Sequence, residues 1–136
     1  MSLEGGDRVS DEALTPTLPA TVASAHLSTC AAELAGNSVP GRVGPYVPDL
    51  ADLTTVVEDL VAGQQQIALV LARLADHLTE RGRRGGLAQV ESPDLAALAE
   101  VLGAAAAATG HAASALAESR PVLDIVMTSA GPDAQL

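Results

Sequence analysis

The stretch Asp49–Arg81, DLADLTTVVEDLVAGQQQIALVLARLADHLTER, decides the fold. Within it Leu50, Leu53, Val57, Leu60, Gln64, Ile67, Leu71, Leu74 and Leu78 recur at alternating steps of three and four. Such spacing keeps one stripe of side chains on a single side of an α-helix over its whole length. At a rise of ~1.5 Å per residue the helix would run roughly 50 Å. The positions beside the stripe hold Val56, Val61, Ala68, Val70 and Ala75, where a two-stranded coil would carry charges. An apolar face this wide calls for burial on two sides, and so for a bundle of three or more helices.

On the N-terminal side, Ser38–Pro48 contains Pro40, Gly41, Gly44, Pro45 and Pro48 and reads as a connector. Tyr46, the single aromatic residue, is expected to lid the end of the bundle near Leu50 and Leu53. Before the connector, a first helix is predicted to start between Thr17 and Ala20, with Pro19 in its first turn. Its apolar stripe is Ala20, Ala23, Leu27, Cys30 and Leu34, and Gly36 and Asn37 suit a left-handed stop. Residues 1–16 are acidic and Gly-containing, as in a disordered arm.

On the C-terminal side, the long helix is predicted to end near Arg81 and Gly82, with Arg83, Arg84, Gly85 and Gly86 making the turn. Ser92 as N-cap and Pro93 at the first helical position announce the next helix. Its stripe is Leu95, Leu98, Leu102, Ala105, Thr109, Ala112 and Leu116, which Pro121 breaks or kinks. Val122–Met127 is then a short fourth helix or a kinked continuation, and residues 128–136 form a flexible tail. The expected architecture is all-α: an antiparallel helical hairpin or bundle of three to four helices, occupying residues 17–127.

Folding the two long helices back about Leu87 sets Leu78 opposite Leu95, Leu71 opposite Leu102 and Val57 opposite Leu116. The same fold sets Gln64 opposite Thr109, the one polar residue in each stripe. An unpaired buried polar group costs ~1–3 kcal/mol, so the two are predicted to pair and fix the register. A repeat of Pro48-Asp49-Leu50-Ala51 as Pro93-Asp94-Leu95-Ala96 aligns the two stripes, although Pro-Asp is a common way to open a helix.

Composition narrows the function. The hydrophobic fraction of 48% supports a core, but Phe and Trp are absent, so that core is built from Leu, Val and Ala. The formal net charge of −10 repels nucleic acid and anionic membranes. Met1–Ser10 has no apolar run of the kind found in a secretory signal. Val101–Ala117, interrupted by Thr109, Gly110 and His111, reads as too short and too little apolar to span a membrane. The lone Cys30 fits a reducing compartment, and the cytoplasm is the expected location.

Three constellations bear on chemistry. His26, Cys30 and Glu33 share one side of the first helix, yet three residues on one helix do not enclose an ion. Cys30 reads instead as a small core residue, with His26 at the boundary. Arg81, Arg83 and Arg84 form a basic tip able to grip an anion or an acidic partner, or simply a solvated turn that complements the helix end. Gln64 and Thr109 mark a polar level where a small ligand could sit. Paired carboxylates, a phosphate loop and a Ser/His/Asp spacing are absent, so no catalytic residue, metal or cofactor is expected.

The sequence therefore points to a non-catalytic helical interaction or scaffold protein that self-associates, as a homodimer or with another helical partner. A secretion-linked or cargo hairpin and a ligand-binding bundle are the alternatives. The small Trp-x-Gly hairpins of type VII secretion share the general layout, but this chain has no Trp and its turn is rich in Arg and Gly.

Overall fold

The computed structural model describes residues 18–36, 49–85 and 91–136. Among these residues lie four helices and no strand: α1 Ala20–Leu34, α2 Leu50–Arg83, α3 Ser92–Ala117 and α4 Ser119–Ala130. The fold class is all-α, as the periodicity predicts. The N-terminal arm, the connector with Tyr46 and turn residues 86–90 fall outside the described residues. The chain divides between Tyr46 and Val47 into two units, the first containing α1 and the second α2, α3 and α4.

In the first unit, α1 begins after Pro19, whose carbonyl accepts from the amides of Val22 and Ala23. Gly36 ends it at φ +77, a left-handed conformation that glycine adopts without a steric penalty. The stripe residues Ala20, Ala23, Leu27 and Cys30 are exposed. Cys30, expected in a core, is a free and exposed thiol. The stripe is too short and too Ala-rich to bury any side chain of this helix.

In the second unit, α2 opens with Asp49 as its cap, the side chain accepting from the Asp52 amide at 2.8 Å. The first amides of any helix lack an intrahelical acceptor. Here the C-terminal segment supplies two: Leu50 N–H donates to the Ala134 carbonyl and Ala51 N–H to that of Pro132. Residues 131–136, expected as a free tail, are thus hydrogen-bonded against the start of α2. The helix then runs past the expected stop to Arg83, and Gly85 at φ +104 turns the chain.

α3 starts one residue early: Glu91 holds the N-cap position, Ser92 is already helical and Pro93 follows. Asp49 caps its helix whereas Asp94 lies inside a first turn, so the two Pro-Asp-Leu-Ala segments have different local roles. Pro121 has no amide to offer the Ala117 carbonyl. The break falls at Glu118, whose N–H is shared between its ordinary helical acceptor, the Ser114 carbonyl, and that of Ala115. The run resumes at once as α4, a kinked continuation that opens at Ser119. Taken together, Ser92–Ala130 spans 39 residues with a window of mean hydropathy 1.3, long and apolar enough by composition to cross a membrane. Val101–Ala117 alone, read from sequence, falls short of that.

The two long helices pack antiparallel: Leu78, Thr79 and Gly82 share a cleft with Ser92, Ala96 and Ala99. The stripe they bury is not quite the predicted one. With Leu50 lettered a in a heptad, the line of α2 that is buried or half-buried at every position is Leu50, Thr54, Val57, Val61, Gln64, Ala68, Leu71, Ala75, Leu78 and Gly82. That is the a and e positions, where the sequence reading expects a and d. The d row is half-buried at Leu53 and Ile67 and exposed at Leu60 and Leu74. With Leu95 as a, α3 makes the same shift and buries Leu95, Ala99, Leu102, Ala106, Thr109, Ala113 and Leu116 to similar degrees. Among the described residues, every fully buried apolar side chain (Leu50, Val61, Ala75, Leu95, Ala99 and Ala113) sits at a or e.

Size explains the shift. The e row is Thr, Val, Ala, Ala and Gly on α2 and Ala throughout on α3, so the backbones approach closely and gain dispersion contacts along their whole length. The d row of α2 is Leu53, Leu60, Ile67 and Leu74, which would hold the helices apart.

Two neighbouring substitutions separate the observed stripe from the predicted one. Ala113, only 1% exposed, has no room for a larger side chain, and Ala113→Leu should destabilise the hairpin by about 1–3 kcal/mol. Ala112 is exposed, and Ala112→Leu should stay within about 0.5 kcal/mol. Urea denaturation of both variants checks the pair, and equal costs would contradict the stripe.

Candidate interaction surface

Burying a and e leaves the d and g positions of both helices outside the hairpin contact. The helices run antiparallel and use the same heptad positions, so the d flank of each turns to the same side of the hairpin. This side carries Leu60, Val70 and Leu74 on α2 at 38%, 55% and 47% exposure, and Leu98 and Val101 on α3 at 48% and 64%. Leu53, Val56 and Ile67 are half-buried beside them. From Val101 to Ala117, α3 contributes no Asp, Glu, Lys or Arg. Contiguous apolar patches of more than a few hundred Å² are uncommon on monomers and mark interaction sites.

Charge borders the α2 side of this face. The c positions, next to g, hold Asp52, Asp59, Gln66, Arg73 and Glu80, all exposed. Glu80 pairs within its own helix, with Arg84 at 3.1 Å and Arg83 at 4.0 Å. Asp59 and Arg73 enter no ion pair among the described residues.

Gln64 and Thr109 both occupy a positions and both are half-buried. They are not hydrogen-bonded to each other. Thr109 Oγ1 donates at 2.8 Å to the Ala105 carbonyl of its own helix, the usual resort of a helical threonine. Gln64 Oε1 is buried and has no hydrogen-bond partner. The register is therefore held by the small residues of the e row, and the polar pair expected to hold it does not form.

Arg81, Arg83 and Arg84 lie exposed at the end of α2. Two of the three are turned back onto Glu80, which leaves less positive charge at the tip than the sequence reading implies. An open cleft of about 440 Å³ lies beside them, lined by Leu78, Gly82, Arg83, Ala96, Ala99 and Glu100. It contains neither Gln64 nor Thr109. His26, Cys30 and Glu33 are all exposed on α1. Among the described residues no three His, Cys, Asp or Glu side chains gather as a metal site would require.

Periodicity alone missed the face because it could not tell the d row from the e row. The signal was present in side-chain size on α2, whose e row is small and whose d row is Leu and Ile; on α3 only Leu98 tells the two rows apart. No known protein family, characterised protein or solved structure matches the chain.

Two outcomes follow from the polar residues. Gln64→Leu removes a buried acceptor without a donor and should raise unfolding stability by about 1 kcal/mol. Combined with Thr109→Ala, its effect should add to within about 0.5 kcal/mol, as for residues without a shared hydrogen bond. Urea denaturation at fixed protein concentration reads both, and strong coupling would mean the residues do pair. Replacing Arg81, Arg83 and Arg84 together by Gln should change stability by less than ~1 kcal/mol, because exposed ion pairs contribute little. A large drop in the thermal midpoint would assign the tip a structural role.

Proposed function

We propose that this chain is a non-catalytic helical interaction protein that works as a self-associated assembly. One observation carries the reading: the apolar arc of the hairpin is wider than the hairpin covers. Each long helix presents apolar side chains at a, e, d and g, and the partner helix takes up only a and e. A helix with this pattern is completed by a second neighbour, as in a four-helix bundle.

A net charge of −10 keeps an Ala-rich protein with an exposed apolar face in solution, and it sets a repulsion that apolar burial between copies has to outweigh. A lone thiol and an acidic surface fit a reducing, cytoplasmic setting. The expected biochemical role is to hold helices together, as a homodimer or with another helical protein.

Sedimentation equilibrium of the full chain at micromolar concentration tests the proposal. A dimer or larger species is expected, with a dissociation constant in the micromolar range or tighter. A monomer at all accessible concentrations would overturn it.

A further inference from the structure

We propose that the d and g face of α2 is the docking surface for α2 of a second copy, lying antiparallel across a two-fold axis near Gln65. This inference rests on the self-association proposed above and adds the surface, the direction and the register.

Charge selects the direction. On the border of the face Asp59 and Arg73 are exposed, of opposite sign, and without ion-pair partners among the described residues. In an antiparallel pair centred near Gln65, Asp59 of one copy meets Arg73 of the other, and the two-fold makes the contact twice. Gln66 then meets Gln66 of the second copy. The outermost border pair, Asp52 against Glu80, is like-charged, but Glu80 is already engaged by Arg83 and Arg84. A parallel pair would put the two c borders on opposite sides of the contact, and Asp59 and Arg73 would gain no partner there. Docking of α2 on α3 of the second copy offers fewer partners: the c positions within α3 are Ala97, Ala104 and His111, and only Glu118, just past its end, could meet Arg73.

The same register fills the apolar layers. Leu60 packs against Val70 of the second copy, Leu74 against Val56, and Ile67 against Gly63. Gly63 stands in the middle of a 34-residue helix, where glycine is less favourable than alanine. A Cβ there would meet nothing within 4 Å in its own chain. The same space is open over Gly82, Gly103 and Gly110, but Gly63 is the one that lies on the d and g face of α2, where an incoming Ile67 would fill it. The exposed Leu98 and Val101 lie on the same side and extend the apolar surface a second copy would cover toward the roughly 1,000 Å² a specific interface needs.

The test is charge exchange in the full chain, read by sedimentation equilibrium at near-physiological salt. Arg73→Glu and Asp59→Arg should each raise the dimer dissociation constant about tenfold or more, since each sets like charges together at two symmetric points. The double variant Asp59→Arg with Arg73→Glu recreates both pairs with the signs reversed. It should return to within about threefold of the original chain. Asp76→Arg makes the same change in net charge as Asp59→Arg, but at an f position turned away from the face, and should leave the constant close to its original value.

A chain that dimerises and is indifferent to the single changes, or is not rescued by the double, overturns this interface and leaves self-association standing. A chain that stays monomeric overturns both. Transfer of the chain from dimer to zwitterionic lipid vesicles, insensitive to the charge exchange, would assign the face to a lipid surface and overturn the second copy as its occupant.

Discussion

The close contact between α2 and α3 through their small residues is the constraint on which the rest depends. Ala75, Ala99 and Ala113 are buried because each faces the other helix, Ala99 at the edge of the cleft beside Gly82. Burying an alanine removes little apolar area from water, so such a contact stabilises mainly through length and density. Val61, wholly shielded from solvent, is the largest side chain the contact fully encloses. A core of this kind has no aromatic anchor, and the helices must remain straight and in register for it to work at all.

That dependence gives meaning to the ends of the hairpin. Asp49 caps α2 with its side chain, and the segment after Gly131 returns two carbonyls to the next amides. Thr54 Oγ1 lies 3.0 Å from Met127 Sδ, which brings α4 against the same first turns. The kink at Glu118 makes this return possible, so Pro121 shapes the closed end of the unit although it packs no core. At the other end, Gly85 reverses the chain and Glu80 gathers Arg83 and Arg84. Both ends are tied by local polar contacts, and the middle is held by packing alone.

Choosing the small row for the hairpin frees the large one. Leucine and valine at d and g would be costly to expose without purpose, and here they line one side of two adjacent helices. The distribution of chemistry agrees. Among the described residues, titratable groups are scattered over the solvent faces, and the one buried side-chain polar atom without a partner, Gln64 Oε1, lies in the helix contact and not in a cleft. What the second unit concentrates is apolar surface with a charged border.

By itself the sequence determined the helices, their boundaries to within two or three residues, the stop at Gly36 and the all-α class. These follow from short-range chemistry: the three-four spacing, the breaking power of Pro and Gly, and the caps. The tertiary structure decided which side of each helix meets the other. Rows d and e lie on either side of a and are both apolar, so periodicity rates them alike. Only the distance between the backbones, set by what must fit between them, separates Ala113 from Ala112 or Val61 from Leu60. The fate of Gln64 and Thr109 was settled in the same way. A hydroxyl can satisfy itself on the carbonyl four residues back, and nothing in a one-dimensional pattern says whether it will. The return of residues 131–136 to the head of α2 was equally out of reach, since a carbonyl meeting an amide more than eighty residues away leaves no local mark in the sequence.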